Sequence, residues 1–245
     1  MPQDRLKASG VILSVMPIGE TDKRLVILTG ELGKIHVFAH GVKRPKSPFS
    51  AACEPFVFGT FEIYEGRTAY TLAGVQVQRY FRELKDDYEA LCFGSYFLEL
   101  ADYFGRENIE AAEQVNLIWL SLLALEDERF SNGLVRSIYE LRTLVHNGEY
   151  PSFFSCAACG KNEALAFFSN RRNGCICAEC APDVPGIRPI LPSVLHTCRF
   201  IVRAPIRSLF SFRVTPQVEE DLSSLLNAYL DQVIDRKLKT KAFLK

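Results

Sequence analysis

Long apolar runs are missing from this sequence. None of its 245 residues falls in a stretch approaching the roughly 18 apolar residues of a membrane helix. The opening residues, Met1-Pro2-Gln3-Asp4-Arg5-Leu6-Lys7, mix charges of both signs with no apolar stretch behind them. A soluble, cytoplasmic protein without a membrane partner is the expectation. Net charge is missing too: Lys plus Arg and Asp plus Glu both total 29, so the overall balance favours no polyanionic partner and excludes none. No internal repeat or low-complexity tract occurs, and a hydrophobic content of 48% is too high for a disordered chain. Catalytic signatures are absent as well. There is no Gly-x-x-x-x-Gly-Lys phosphate loop, no Gly-x-Ser-x-Gly nucleophile turn, and no His-x-Glu beside a Pro-Cys-x-x-Cys as deaminase chemistry requires. No enzymatic active site is expected.

The charges that are present are unevenly placed. Residues 1–82 carry 11 basic and 7 acidic side chains, residues 83–129 carry 3 and 12, and residues 130–245 carry 15 and 10. An acidic middle between two basic ends lets a neutral chain keep local basic surfaces for phosphate.

The texture along the chain predicts an α+β protein. Strand-like stretches at 8–15, 25–29, 35–39, 56–64 and 69–77 are separated by turn signals such as Gly19-Glu20-Thr21-Asp22, Lys43-Arg44-Pro45-Lys46-Ser47-Pro48 and Glu65-Gly66-Arg67. Five short strands at this spacing suit a partly open barrel of the OB type over residues 1–82. Helical periodicity follows over 83–151, with Leu134, Ile138, Leu141, Leu144 and Val145 on one stripe that ends at Asn147-Gly148. Residues 152–186 are rich in cysteine, glycine and proline and read as a compact insert. Helical pattern returns over 187–245, with Pro192-Ser193 opening one helix through Arg203 and Thr215-Pro216 opening a last one.

Eight cysteines without a leader segment point to metal rather than disulfides. Cys156-Ala157-Ala158-Cys159 is followed after 17 residues by Cys177-Ala178-Glu179-Cys180. Two such turns supply the four soft ligands of a closed, structural Zn2+ site. Cys175 offers an alternative ligand, although the matching two-residue spacing favours Cys177. Free or redox-active thiols are the competing reading. Cys53, Cys92 and Cys198 stand alone in apolar surroundings as expected core residues, and the four histidines have no partner at ligand spacing.

For nucleic acid, the candidates are Lys34 with Lys43, Arg44 and Lys46 in a proline-stiffened loop after the third strand, Arg171 and Arg172 in the insert, and Arg199 and Arg203 one helical turn apart. Five arginines and no acidic residue occur from Ile187 to Thr215, although Pro205 weakens a stripe reaching Arg207. Short basic clusters are also common as merely solvated surface. The tail Arg236, Lys237, Lys239, Lys241 and Lys245 equally suits a solvated helix end.

The run Gly19-Glu20-Thr21-Asp22-Lys23-Arg24-Leu25, then Gly33-Lys34 and Ala39-His40-Gly41-Val42-Lys43-Arg44, resembles the barrel signature of the RecO family of recombination mediators. Tyr139-Glu140-Leu141-Arg142 through Gly148-Glu149-Tyr150-Pro151 into Cys156-x-x-Cys159-Gly160, and the ending Leu238-Lys239-Thr240-Lys241-Ala242-Phe243-Leu244, are similar to the same family. Asn173-Gly174-Cys175 departs from it, since two glycines and no extra cysteine are more usual there. The resemblance implies an OB domain, a helical domain and an embedded zinc module. It also implies binding of single- and double-stranded DNA, strand annealing, partnership with RecR, contact with the C-terminal tail of single-strand-binding protein, indirect help for RecA, and a place at the nucleoid. An acidic, aromatic-ended tail requires a basic and apolar groove, for which Arg136 and Arg142 are the candidates. Two other classes compete: an adaptor whose OB domain binds protein rather than DNA, and an enzyme using the cysteines as redox or catalytic groups.

Overall fold

Alternation of inward and outward residues sets the N-terminal strands of the computed structural model, which describes residues 5–244. In β3 (Gly33–Ala39), Ile35, Val37 and Ala39 are buried while the residues between them are half exposed. They meet Leu25 and Ile27 of β2 (Asp22–Thr29), Ile12 of β1 (Arg5–Ile18), and Phe61 and Ile63 of β4 (Phe58–Glu65) in one core. Burying each such side chain stabilises by about 1.5–3 kcal/mol. A one-residue slip of β3 would turn Ile35, Val37 and Ala39 outward together.

With β5 (Tyr70–Arg79) the strands form a closed barrel in the order β1-β2-β3-β5-β4, an OB-like topology. The barrel is closed where the sequence suggested a partly open one, because β3 and β5 pair in parallel at Val37 with Tyr70 and Phe38 with Thr71. β1 is longer than its apolar stretch, since its first half pairs with β4 and its second with β2. The exchange happens at Gly10, where a Cβ would stand 2.0 Å from the Leu28 carbonyl oxygen. β4 starts at Phe58 rather than Phe56 because Phe56 takes a positive φ of 70° and donates its N–H to the Ile12 carbonyl.

The chain divides into two units, one ending at Glu126 and rejoined by the segment from Leu238, the other Asp127–Lys237. In the first, α1 (Tyr88–Phe104) opens at Asp87, whose carboxylate accepts the N–H groups of Glu89 and Ala90. The connection to α2 (Ala112–Leu125) clasps the β2–β3 turn: Lys34 donates its N–H to the Arg106 carbonyl and Asn108 donates to Leu32. Gly33 permits this at a φ of 68°, where a Cβ would lie 2.3 Å from the Arg106 oxygen. Phe58 and Phe81 pack edge-on against Trp119, and the Glu99 carboxylate accepts the N–H groups of Lys239 and Thr240.

The second unit packs α3 (Asn132–His146) against α4 (Pro192–Arg203) and α5 (Pro216–Val233). The sequence placed the end of α3, both ends of α4 and the start of α5 where they fall. Gly148 ends α3 in a left-handed conformation, with the Glu149 N–H returning to the Leu144 carbonyl. Thr215 occupies the cap position of α5, but its side chain makes no capping bond. A three-stranded sheet of β6 (Leu165–Ser169), β7 (Gly174–Cys177) and β8 (Arg188–Pro189), in the order β7-β6-β8, carries the cysteine insert. Among the described residues no helix is long and apolar enough to cross a membrane.

Candidate metal centre and nucleic-acid interface

Each Cys-x-x-Cys turn is held by its own backbone. Cys156 donates its N–H to the Lys161 carbonyl and accepts that of Gly160, which turns away at a φ of 79°. Cys177 ends β7, and its carbonyl accepts the Cys180 N–H. Ala157 and Cys175 tie the two turns together through an N–H to carbonyl bond, and Lys161 and Glu179 pair across them. The sulfurs of Cys156, Cys159, Cys177 and Cys180 all lie within 4.8 Å of one another, with Cys159 and Cys177 at 3.8 Å. Four sulfurs at about 2.3 Å from a tetrahedral ion stand about 3.8 Å apart, so this donor set can hold a metal ion. Burial opposes ionisation of Cys156, yet the N–H groups of Cys177, Cys159 and Ala158 outweigh it and bring the thiol down to about 6. Bonds from Cys159 and Cys177, with burial, push Cys180 up to about 12.

Cys175 is not part of the cluster. It is fully buried, burial pushes its thiol up to about 12, and its electrical neighbours are Arg199, Cys156 and Cys198. Cys53 and Cys198 are core residues, whereas Cys92 is only half buried on α1.

The basic candidates divide by local packing. Lys43, Arg44 and Lys46 are exposed on the loop after β3, and no carboxylate among the described residues pairs with them. The loop itself is ordered by its backbone: Lys43 donates its N–H to the Thr21 carbonyl, Arg44 to Gly41, and Ser47 to Arg44. Lys34 stands at the other end of β3, roughly 20 Å away at about 3.3 Å per residue. Its ammonium is held by the carbonyl of Asp102 at 2.6 Å and by the Asp102 carboxylate at 3.4 Å. It lines a cavity of about 320 Å³ with His36, Arg67, Tyr70 and Glu107.

In the second unit, Arg171 and Arg172 are exposed on the β6–β7 turn. Arg199 donates from Nε to the Phe153 carbonyl at 2.8 Å, and Arg203, exposed, lies over the Phe154 ring at 3.9 Å. Arg199 and Arg203 thus meet at Phe154, an aromatic that spacing alone did not single out. Arg136 is buried, with Nε on Glu140 at 2.8 Å and a further bond to Asn227. Arg142 donates to the carbonyls of Ile201 and Val202 at the end of α4, where a cation complements the helix dipole. Met1–Asp4 and Lys245 lie outside the described residues.

One pair escaped the sequence reading. His40 has no partner along the chain but follows Ala39, which pairs with Lys23 at the end of the β2–β3 ladder, and its Nδ1 is 2.6 Å from Asp22 Oδ2. Asp22 Oδ1 accepts the Gly41 N–H at 2.8 Å and the Thr21 hydroxyl. The Gly41 bond first, then those of His40 and Thr21, hold the Asp22 carboxyl well below the usual range. The antiparallel spacing of the two motifs was the available signal.

Comparison with known proteins agrees with both halves of the molecule. The profile described as "Recombination protein O N terminal" matches residues 1–81, and "Recombination protein O C terminal" matches residues 85–242. The DNA repair protein RecO of Bacillus pumilus is 30% identical over 239 residues, covering 98% of this chain and 93% of its own length. That of Symbiobacterium thermophilum is 29% identical over 242 residues, covering 96% and 94%. That of Alkaliphilus metalliredigens is 27% identical over 232, covering 94% of each. With an OB-like barrel, a helical unit and a four-cysteine cluster all in place, the chain belongs to the recombination protein O family and serves recombinational DNA repair.

Proposed function

We propose that the protein is a non-enzymatic recombination mediator of the cytoplasm and nucleoid that binds single- and double-stranded DNA and anneals complementary strands. With RecR it assists RecA on strands coated by single-strand-binding protein, whose C-terminal tail the helical part contacts. The single observation that carries this reading is the exposed, internally hydrogen-bonded loop of Lys43, Arg44 and Lys46 on an OB-like barrel, with no carboxylate paired to it. Such a loop meets phosphates without regard to sequence. Arg171, Arg172, Arg199 and Arg203 are the phosphate contacts of the second unit, and Phe154 under Arg203 offers a stacking platform beside them.

The metal is Zn2+ in a structural role. Four thiolates leave no open position for substrate or activated water, and the core around the cluster is small: Ile176 and Val184 with Leu165, Phe167 and Ile187. Residues 1–82 act as the OB domain, 152–186 as the zinc insert, and 83–151 with 187–245 as the helical part. Annealing of complementary oligonucleotides, with and without single-strand-binding protein, tests the reading. Acceleration at low salt that fades steeply as salt rises supports it. A chain that binds partner proteins but captures no oligonucleotide even in dilute buffer is an adaptor.

A further inference from the structure

A carboxylate can only accept, so the short bond to Asp22 fixes a proton on Nδ1 of His40. The ring is 63% exposed, lies parallel to Phe38 at 6.4 Å, and has no partner on Nε2 among the described residues. Nε2 therefore lies on the side of the ring away from Asp22, one residue before the turn that leads into Lys43 and Arg44. His36, four residues earlier and on β3, is arranged the opposite way. The Arg24 guanidinium lies 3.3 Å from its Nδ1, and a guanidinium can only donate, so that nitrogen must accept and stay bare.

We propose that His40 is a phosphate-binding residue of the barrel: protonated, it keeps Nδ1–H on Asp22 and donates Nε2–H to a DNA phosphate beside Lys43 and Arg44. Asp22 is its positioning residue. The same carboxylate that turns the ring also holds Gly41, at the start of the basic loop, so one group sets both the histidine and the cations. The inference rests on the reading of that loop as a phosphate contact.

Of the charged groups on the flanking elements, those other than Glu20 are bonded elsewhere. On β2, Lys23 is bonded to Glu54 and the Cys53 carbonyl, and Arg24 faces His36. On the β1–β2 turn, Glu20 is exposed and the Gly19 carbonyl receives the Lys43 ammonium at 3.3 Å. On the β5 side the titratable group is Tyr70, with Glu65 opposite it. An imidazole takes up its second proton within about pH 5–8.

The experiment is fluorescence anisotropy of the full chain with a thymidine oligomer, titrated across salt at about pH 6 and about pH 8. For the natural sequence, the slope of log affinity against log salt should be steeper by about 0.7 at the lower pH, one single-strand phosphate contact. His40→Gln, at an exposed position, should show one slope at both. A natural chain with no pH difference, or a His40→Gln chain that keeps it, overturns the proposal. The triple variant Lys43→Ala, Arg44→Ala, Lys46→Ala at about pH 8, where an imidazole is neutral, tests the loop by itself. An unchanged slope there sinks the loop reading and leaves the His40 increment to be judged on its own.

Discussion

The backbone N–H of Cys177 donates to the sulfur of Cys156 at 3.3 Å, across 21 residues of chain. The bond joins the two cysteine turns directly and favours a thiolate where a cation is to bind. Metal and fold are then one equilibrium, because ligands must be deprotonated and the surrounding core is small. Cys156→Ser or Cys180→Ser should lower bound zinc from about one per chain to near zero and unfold the insert. Cys175→Ala should keep the metal, since its sulfur is not among the four that cluster. Metal analysis of the purified variants decides, and a Cys175→Ala chain without zinc would show the ligand set to be wrong.

Lys34 and the loop cations should behave as different kinds of residue. Lys43→Ala, Arg44→Ala and Lys46→Ala together should leave thermal stability unchanged and flatten the single-strand salt slope by up to about 2, at about 0.7 per contact. Lys34→Ala removes an ammonium that bonds the Asp102 carbonyl and carboxylate, so it should chiefly lower stability, by about 1–3 kcal/mol for a bond to a charged group. Oligonucleotide titrations and urea melts on the same preparations separate the two. An equal loss of salt slope from Lys34→Ala alone would return it to the DNA surface.

Arg136 and Arg142 were read from the sequence as contacts for an acidic tail, and their packing gives each a structural duty. Arg136→Ala would leave the Glu140 carboxylate, 1% exposed, without its guanidinium and should cost about 3–5 kcal/mol. Arg142 is only half buried and bonds to carbonyls, so Arg142→Ala should cost less, about 1–2 kcal/mol. Urea midpoints measure both. A stable Arg136→Ala protein that binds the tail peptide less well would favour the partner role.

What was legible in the sequence is what depends on local period. Ile35, Val37 and Ala39 announce a strand by alternation, and the paired Cys-x-x-Cys turns announce a tetrahedral site by spacing. The rest depends on meetings far apart in the chain. Lys34 finds Asp102 across 68 residues, a distance without a signature, and His40 finds Asp22 across 18, where only the antiparallel pairing of two strands brings them together. Glu140 stands four residues after Arg136 on α3, a pair-forming spacing that the sequence reading passed over. Its burial is set with α5, where Asn227 completes the cluster, and only the fold reveals that. Barrel closure was missed for the same reason: β3 and β5 share two residue pairs, too few to show as a pattern.

Asp22 should make the loop after β3 sensitive to acid. Its carboxyl is held below the ordinary range by the Gly41 N–H, with His40 and Thr21 adding to the effect. A group whose folded pKa is depressed contributes stability that is fully present above its unfolded value, about 3.9 for Asp, and is lost as pH falls through the folded value. The difference in urea midpoint between the natural chain and Asp22→Asn should therefore include the full carboxylate contribution at about pH 5. Below about pH 4 it should shrink, as protonation of Asp22 makes the natural chain resemble the variant. Three donors converge on this carboxylate, so the variant should also free the loop, seen as faster amide exchange at Gly41 and Lys43. A midpoint difference that grows in acid would place the stabilising charge on another group.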